Sequence, residues 1–247
     1  MKFSIITVTY NSEAYLEETI LSIINQKGID LEYIIIDGGS TDTTKSIIEK
    51  YRNNIHHFIS EPDNGIYDAL NKGIKLSTGD VIGILHSDDI YTSDSVLKKI
   101  GDTISYENTE ACYANLFYVD AKNINQIKRK WKSGKHNSRS FLFGWMPPHP
   151  TFFCKKSVYD NLGSFNTRLK TSADYELMLR FMYKHKIKTS YLNEFIVKMR
   201  TGGQSNRSLR NRLLANYEDR MAWRMNDVFP LFFTLSLKPL RKILQFF

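Results

Sequence analysis

The first hundred residues alternate short β-branched runs with stretches whose apolar residues recur at helical spacing. Four runs, 3–8, 33–36, 57–59 and 81–85, are too short and too β-rich to make good helices and are predicted as strands. Between them, Leu16, Ile20, Ile23 and Ile24 share one helical face, as do Thr44, Ile47, Ile48 and Tyr51, and then Ile66, Ala69, Leu70, Gly73 and Ile74. Three βα units in succession predict an α/β fold with a Rossmann-like, mostly parallel central sheet flanked by helices. Residues 87–95 read as a helix entrance. Beyond Asp120 the rhythm ends. A basic strand-like stretch leads through Pro147-Pro148-His149-Pro150 to the apolar residues 151–154, a helical pattern carrying Met178, Phe181 and Met182 begins near Asp174, and a charged helix is expected from about Leu209 to Met225.

Parallel sheets place ligands outside the carboxyl ends of their strands. The four loops expected there are polar: Thr9-Tyr10-Asn11-Ser12, Asp37-Gly38-Gly39-Ser40-Thr41-Asp42, Glu61-Pro62-Asp63-Asn64-Gly65 and His86-Ser87-Asp88-Asp89. Neither glycine-rich phosphate-binding pattern follows any strand. Asp37 instead sets a carboxylate at a strand end, suited to accept a hydrogen bond from a base or ribose, while Ser40, Thr41 or Asp42 caps the next helix. Asp88 and Asp89 repel each other unless a cation offsets them, and Mg²⁺ or Mn²⁺ held with diphosphate oxygens needs only one or two carboxylates; a helix start is the other reading. Asp68, Asn71 and Lys72 fall within one helical turn beside the same crevice, where Lys72 either reaches phosphate or pairs with Asp68.

Two readings also stand for Asp174. It is a general base near an acceptor hydroxyl, or, as the last residue of Thr171-Ser172-Ala173-Asp174, it closes a capping box. Arg200, before Thr201-Gly202-Gly203-Gln204-Ser205, either clamps a diphosphate or belongs to a plain loop. His149, between prolines, reads as a packed loop residue rather than a ligand.

Composition narrows the class. The 247 residues carry a formal charge of +8, and Lys128, Arg129, Lys130, Lys132 and Lys135 form one basic cluster. Residues 207–247 form another, in which Val228 to Phe247 mixes Phe and Leu with Lys238, Arg241 and Lys242 and no acid. That tail suits peripheral contact with an anionic membrane or packing on the domain itself, with Pro239 expected to split it into two short helices. No module for reading nucleic acid is present, so a nucleic-acid partner is not expected. Two well-separated cysteines suggest a reducing compartment; with no signal-peptide pattern and no run of about 20 apolar residues, a cytoplasmic or inner-membrane-face protein is expected.

Taken in order, Thr7-Val8-Thr9-Tyr10-Asn11, Asp37-Gly38-Gly39-Ser40-Thr41-Asp42, Asn64-Gly65 leading to Asn71-Lys72-Gly73, Asp88-Asp89 and Ala173-Asp174-Tyr175-Glu176-Leu177 resemble family 2 glycosyltransferases of the GT-A fold. The likeness is to inverting members that build bacterial cell-surface polysaccharides. It implies that Thr9, Tyr10 and Asp37 hold the nucleotide of a nucleotide-sugar donor, with Asp37 on a uracil-like base. It also implies that Asp88 and Asp89 form a DxD-type element, Asp89 touching the metal, and that Asp174 is the catalytic base. The implied acceptor is a glycan or a polyprenyl-diphosphate-linked sugar. The chain departs from the family pattern at Ala173, often Glu, and at Thr201-Gly202-Gly203, where a His is common. The expected organisation is a glycosyltransferase domain over 1–205, with a donor half (1–120) and an acceptor half (121–205), and a helical extension over 206–247. A donor-binding scaffold without catalysis is the alternative.

Overall fold

The computed structural model describes residues 1–247 apart from 138, 203–208 and 244–247, and apart from the side chains of 209–213, 239, 242 and 243. Its strands are β1 (Lys2–Thr9), β2 (Asp30–Asp37), β3 (His57–Ser60), β4 (Val81–Ile84), β5 (Ile90–Tyr91), β6 (Ala111–Val119), β7 (Ile127–Trp131), β8 (Phe153–Lys155) and β9 (Thr189–Arg200). The α-helices are α1 (Leu16–Ile24), α2 (Thr44–Lys50), α3 (Ile66–Leu76), α4 (Val96–Glu107), α5 (Lys156–Leu162), α6 (Ala173–Met178), α7 (Leu209–Met225) and α8 (Thr234–Ile243).

Strands β1, β2 and β4 are buried on both faces, and their alternation sorts their side chains into two cores. Phe3, Ile5, Tyr33, Ile35 and Val81 point into a layer closed by α1, α2 and α4. Ile6, Val8, Ile34, Ile36, Ile82 and Ile84 point into a layer closed by α3 and the helices of the second half. One sheet therefore has the order β3-β2-β1-β4-β8-β6-β9-β5, with β7 on β6. The pairs β3–β2, β2–β1 and β1–β4 are parallel, and the register sets Thr9 beside Asp37 and Asp37 beside Ser60, so the polar loops leave the sheet along one edge. α3 lies hard against β1: a Cβ on Gly73 would come within 2.5 Å of the Ile6 side chain, so only glycine lets the helix sit so close.

At the opposite edge, Glu32 ties three segments together. Its buried carboxylate accepts from Ser4 Oγ, from the backbone and hydroxyl of Thr78, and from Lys2 Nζ. Burial pushes its pKa up, but these donors outweigh burial and hold it down at about 2 against an ordinary 4.5. A depressed folded-state pKa stabilises above the unfolded value and is lost as pH falls through the folded one. Glu32→Gln should thus cost roughly 3 kcal/mol at neutral pH. In thermal melts the gap to wild type should close between about pH 4.5 and 2; a gap independent of pH would refute the assignment.

The structure departs from the sequence-based expectation in four places. Residues 87–95 are not a helix entrance: Ile90 and Tyr91 pair with Lys198 and Val197, and α4 starts only at Val96. The long strands β6 and β9, which pair in parallel, were not anticipated. The pattern from Asp174 is a short α-helix that widens into a π-helix over Leu179–Lys184. Lastly, α8 continues through position 239 instead of splitting there, its first turn anchored by Thr234 Oγ1 donating to the Leu142 carbonyl at 2.6 Å. Among the described residues no helix is long and apolar enough to cross a membrane.

Candidate active site

The first two loops are bolted to each other. Asn11 adopts a left-handed φ of 49°, and from there its side-chain oxygen accepts from Thr41 N at 2.9 Å while its own N–H donates to Ser40 Oγ. Asp37 is fully buried and its carboxylate accepts from Ser40 N (3.0 Å), Ser60 Oγ (2.6 Å) and Ser40 Oγ. Most of its acceptor capacity is thereby spent on the loop, which sequence alone could not show. Beside it, Thr9 is buried with no partner for its hydroxyl among the described residues, and Tyr10 stands 59% exposed at the rim.

Asp68, Asn71 and Lys72 share α3 but not a task. Lys72 Nζ sits between Asp63 (2.5 Å) and Glu61 (2.7 Å), with Asp68 farther off at 3.8 Å, and those first two acids raise its pKa. Asp68 also accepts from Asn64 N. Asn71 clamps the backbone of Phe165 in both directions, at 2.9 Å each way. Phe165 in turn stacks on Tyr67 at 5.5 Å, so Asn71 acts on the site through Tyr67.

At the end of β4, Asp88 is half-buried, whereas Asp89 is 1% exposed with neither carboxylate oxygen partnered among the described residues. Burial raises the pKa of both; for Asp89 the charge of Asp88 adds to the rise, and Arg200, through its backbone N–H approaching the carboxylate outside ordinary hydrogen-bond geometry and through its charge, only partly offsets it. Native interiors seldom leave a buried carboxylate unpaired, and an adjacent second acid worsens the repulsion. Among the described residues no three His, Cys, Asp or Glu converge on a metal-sized site. The pair nevertheless fits a hard cation whose other ligands are phosphate oxygens. Of the two, Asp88 is the less buried.

Arg200, which in sequence reads as a diphosphate clamp or as part of a plain loop, is held by protein contacts on several sides. Its buried guanidinium donates to the Asp88 carbonyl (2.6 Å), the Ala121 carbonyl (3.2 Å) and Glu18 (2.8 Å), and it lies over the Tyr15 ring. These contacts make it a strut that fixes the Asp88 backbone. Gly203, Gln204 and Ser205 of the loop after it lie outside the described residues, as does the boundary expected at 205/206.

Asp174 faces a cavity of about 120 Å³ lined by Tyr67, His86, His149, Phe152 and Phe165 among others. The capping box does not form: Ser172 precedes the helix without a side-chain cap, and Thr171 Oγ1 donates to Glu218 instead. Asp174 Oδ1 accepts from Tyr67 OH at 3.3 Å and Oδ2 lies 3.3 Å from His149 Nδ1. Burial, reinforced by the Asp174 charge, pushes the Tyr67 pKa up, so the phenol keeps its proton as a donor. His86 packs edge-on against His149 at 5.4 Å; burial and then His149 push it down to about 3, leaving a neutral imidazole at physiological pH. Tyr67, His86 and His149 carried no signal in the sequence that set them apart from packed residues, and proline-flanked His149 reads there as a loop residue.

The model of glycosyl transferase family 2 matches residues 4–166. A PGL/p-HBAD biosynthesis glycosyltransferase of Mycobacterium bovis is 27% identical over 209 residues, 83% of this chain and 79% of that one. The chondroitin synthase of Pasteurella multocida is 29% identical over 197 residues, 76% of this chain but 20% of the synthase. In fold, the chain resembles S. aureus TarS 1–349 in complex with UDP-GlcNAc, with TM-score 0.70, 21% identity, and coverage of 92% of this chain and 65% of that one. It covers 37% of a longer TarS chain. It also resembles the mannosyltransferase PcManGT from Pyrobaculum calidifontis in complex with GDP-Man and Mn²⁺, with TM-score 0.67, 15% identity and coverage of 98% and 69%. At these identities the solved structures speak for a shared GT-A fold, while the family match extends over most of the polar edge built by β1 to β4. The chain belongs to glycosyl transferase family 2, and the protein is a glycosyltransferase.

Proposed function

We propose that the protein moves a sugar from a nucleotide-diphosphate donor, of the UDP type, to a hydroxyl of a glycan or polyprenyl-diphosphate-linked acceptor in polysaccharide biosynthesis, with inversion at the anomeric carbon. The observation that carries this reading is the carboxylate of Asp174 at a cavity wall, held by Tyr67 and near His149, with no capping duty. Asp174 takes the proton of the acceptor hydroxyl as that oxygen bonds to the anomeric carbon. The bond from that carbon to the diphosphate oxygen breaks on the opposite face, and its electron pair leaves with the nucleoside diphosphate. A single displacement needs no second carboxylate nucleophile, unlike a retaining hydrolase.

Thr9, Tyr10 and the loop braced by Asp37 form the nucleotide's side of the crevice, Tyr10 offering an exposed ring. Asp88, with Asp89 behind it, would hold Mn²⁺ or Mg²⁺; when bound there, the cation offsets charge on the departing diphosphate. The uridine preference is supported by the likeness to TarS with UDP-GlcNAc, and PcManGT with GDP-Man supports the same site serving another base. Calorimetric titration with UDP, GDP and TDP, each with Mn²⁺ and with chelator, separates these. Metal-dependent UDP binding is expected; no binding of any nucleotide would overturn the donor assignment and leave the scaffold reading without its ligand as well.

A further inference from the structure

The connection between α7 and α8 leaves Phe229 85% and Phe232 97% exposed, and Leu231 beside them is half out. Burial of a phenylalanine is among the larger apolar gains a side chain offers, so two left in water on one short connection form a wedge that nothing covers among the described residues. The wedge continues onto the catalytic domain. Phe232 meets Phe233 edge-on at 5.0 Å, Phe233 stacks on the half-exposed Phe143 at 5.9 Å, and Phe143 rims a cleft lined also by Lys135, Arg139 and Arg241. No acidic residue among the described ones lines that cleft.

The wedge is fixed to the domain. Gly144, at φ 72°, lies so close to α8 that a Cβ there would meet Lys238 N at 2.5 Å, and Arg241 donates to the Phe143 carbonyl. Lys238, one of the tail's cations, is turned inward, where it pairs with Asp219 at 2.7 Å and lies over the Tyr175 ring. The tail therefore packs on the domain with one side and presents Phe229, Leu231 and Phe232 with the other.

We propose that this face docks on a bilayer bearing anionic headgroups, with Phe229, Leu231 and Phe232 entering the headgroup–acyl boundary and Lys135, Arg139 and Arg241 meeting headgroup phosphates. Charge decides against the other occupants. A second copy of this +8 chain would bring like charge to the same face. A soluble polyanion would use the cations and leave the phenylalanines in water. The proposal stands apart from the catalytic reading, because docking needs neither donor nor acceptor.

The test is co-sedimentation of the full chain with phosphatidylcholine vesicles, with and without phosphatidylglycerol. Binding to the phosphatidylglycerol vesicles is expected. It should weaken by roughly tenfold or more in Phe229→Ser/Phe232→Ser and by about tenfold or more in Lys135→Gln/Arg139→Gln, with circular dichroism and melting unchanged. A Phe232→Trp variant should show, relative to wild type, blue-shifted emission on the same vesicles. Wild-type protein left in the supernatant, binding that survives either double substitution, or unshifted emission from the Phe232→Trp variant would overturn the proposal. A dimer in sedimentation velocity that Phe229→Ser/Phe232→Ser dissolves, with no vesicle binding, would assign the face to self-association instead.

Discussion

Asp174→Asn is expected to lower kcat by roughly 10²–10⁴-fold, the range a positioned general base supplies, while donor affinity and melting temperature stay at wild-type values. The substitution keeps shape and keeps an oxygen for the Tyr67 hydroxyl to donate to, so the hydrogen bond on Oδ1 survives. What disappears is the ability to accept a proton from the acceptor. Donor affinity is spared because the partners of the Asp174 carboxylate are Tyr67 and His149, not the loops that carry Thr9, Asp37 and Asp88. Steady-state rates with a UDP-sugar, isothermal titration with UDP and a thermal melt on the same preparation separate the outcomes. Unchanged kcat would remove Asp174 as the base. A collapsed melting temperature would instead return it to a structural role on α6, which the missing capping bond argues against.

The second large effect concerns the acidic pair and has two opposite signs. Asp89→Asn should raise the melting temperature of the metal-free protein, because burial and the neighbouring Asp88 disfavour the ionised carboxyl there, a cost that a neutral amide does not carry. The amide it introduces is also unpartnered, but a buried neutral group costs far less than a buried charge. The same substitution, and more strongly Asp88→Asn at the less buried of the two, should weaken Mn²⁺-dependent UDP binding by about tenfold or more, since a charge-assisted ligand is lost. Stability gained where ligand affinity is lost is the mark of a residue kept for function. Metal-independent UDP binding of equal strength in wild type, Asp88→Asn and Asp89→Asn would remove the cation from the site. A lower melting temperature for Asp89→Asn would show that the fold uses the carboxylate in a way its missing partners do not reveal.

Much of this was legible in the chain. The runs 3–8, 33–36, 57–59 and 81–85 became β1 to β4 with small changes at their ends, because a strand inside a covered parallel sheet must be apolar nearly throughout and little else that short is. Helical faces such as Leu16, Ile20 and Ile23 packed as expected, since a 3.6-residue period with one apolar stripe has only one way to bury itself. α7 runs over Leu209–Met225, as its periodicity predicts. The polar ends of the four strands were legible for the same reason: a parallel sheet fixes which end of each strand opens into the crevice.

Tertiary contact decided the rest. Ile90 and Tyr91 became a strand because β9, distant in the chain, offers them backbone partners. Arg200 reads in sequence as a cation beside a flexible loop and is in the fold a buried strut, because its partners Glu18, Asp88 and Ala121 come from distant elements. Whether Asp174 capped its own helix or faced substrate could not follow from Thr171-Ser172-Ala173-Asp174, since both readings use the same four residues. The capping box is undone by Glu218, which takes up the Thr171 hydroxyl, and Tyr67 and His149 engage the carboxylate from α3 and from the proline-rich loop, which supports the proposed role as base. Local period and propensity determine which segments form and which way they face; which side chains meet across those segments is set by long-range packing, and there the chemistry of this site is decided.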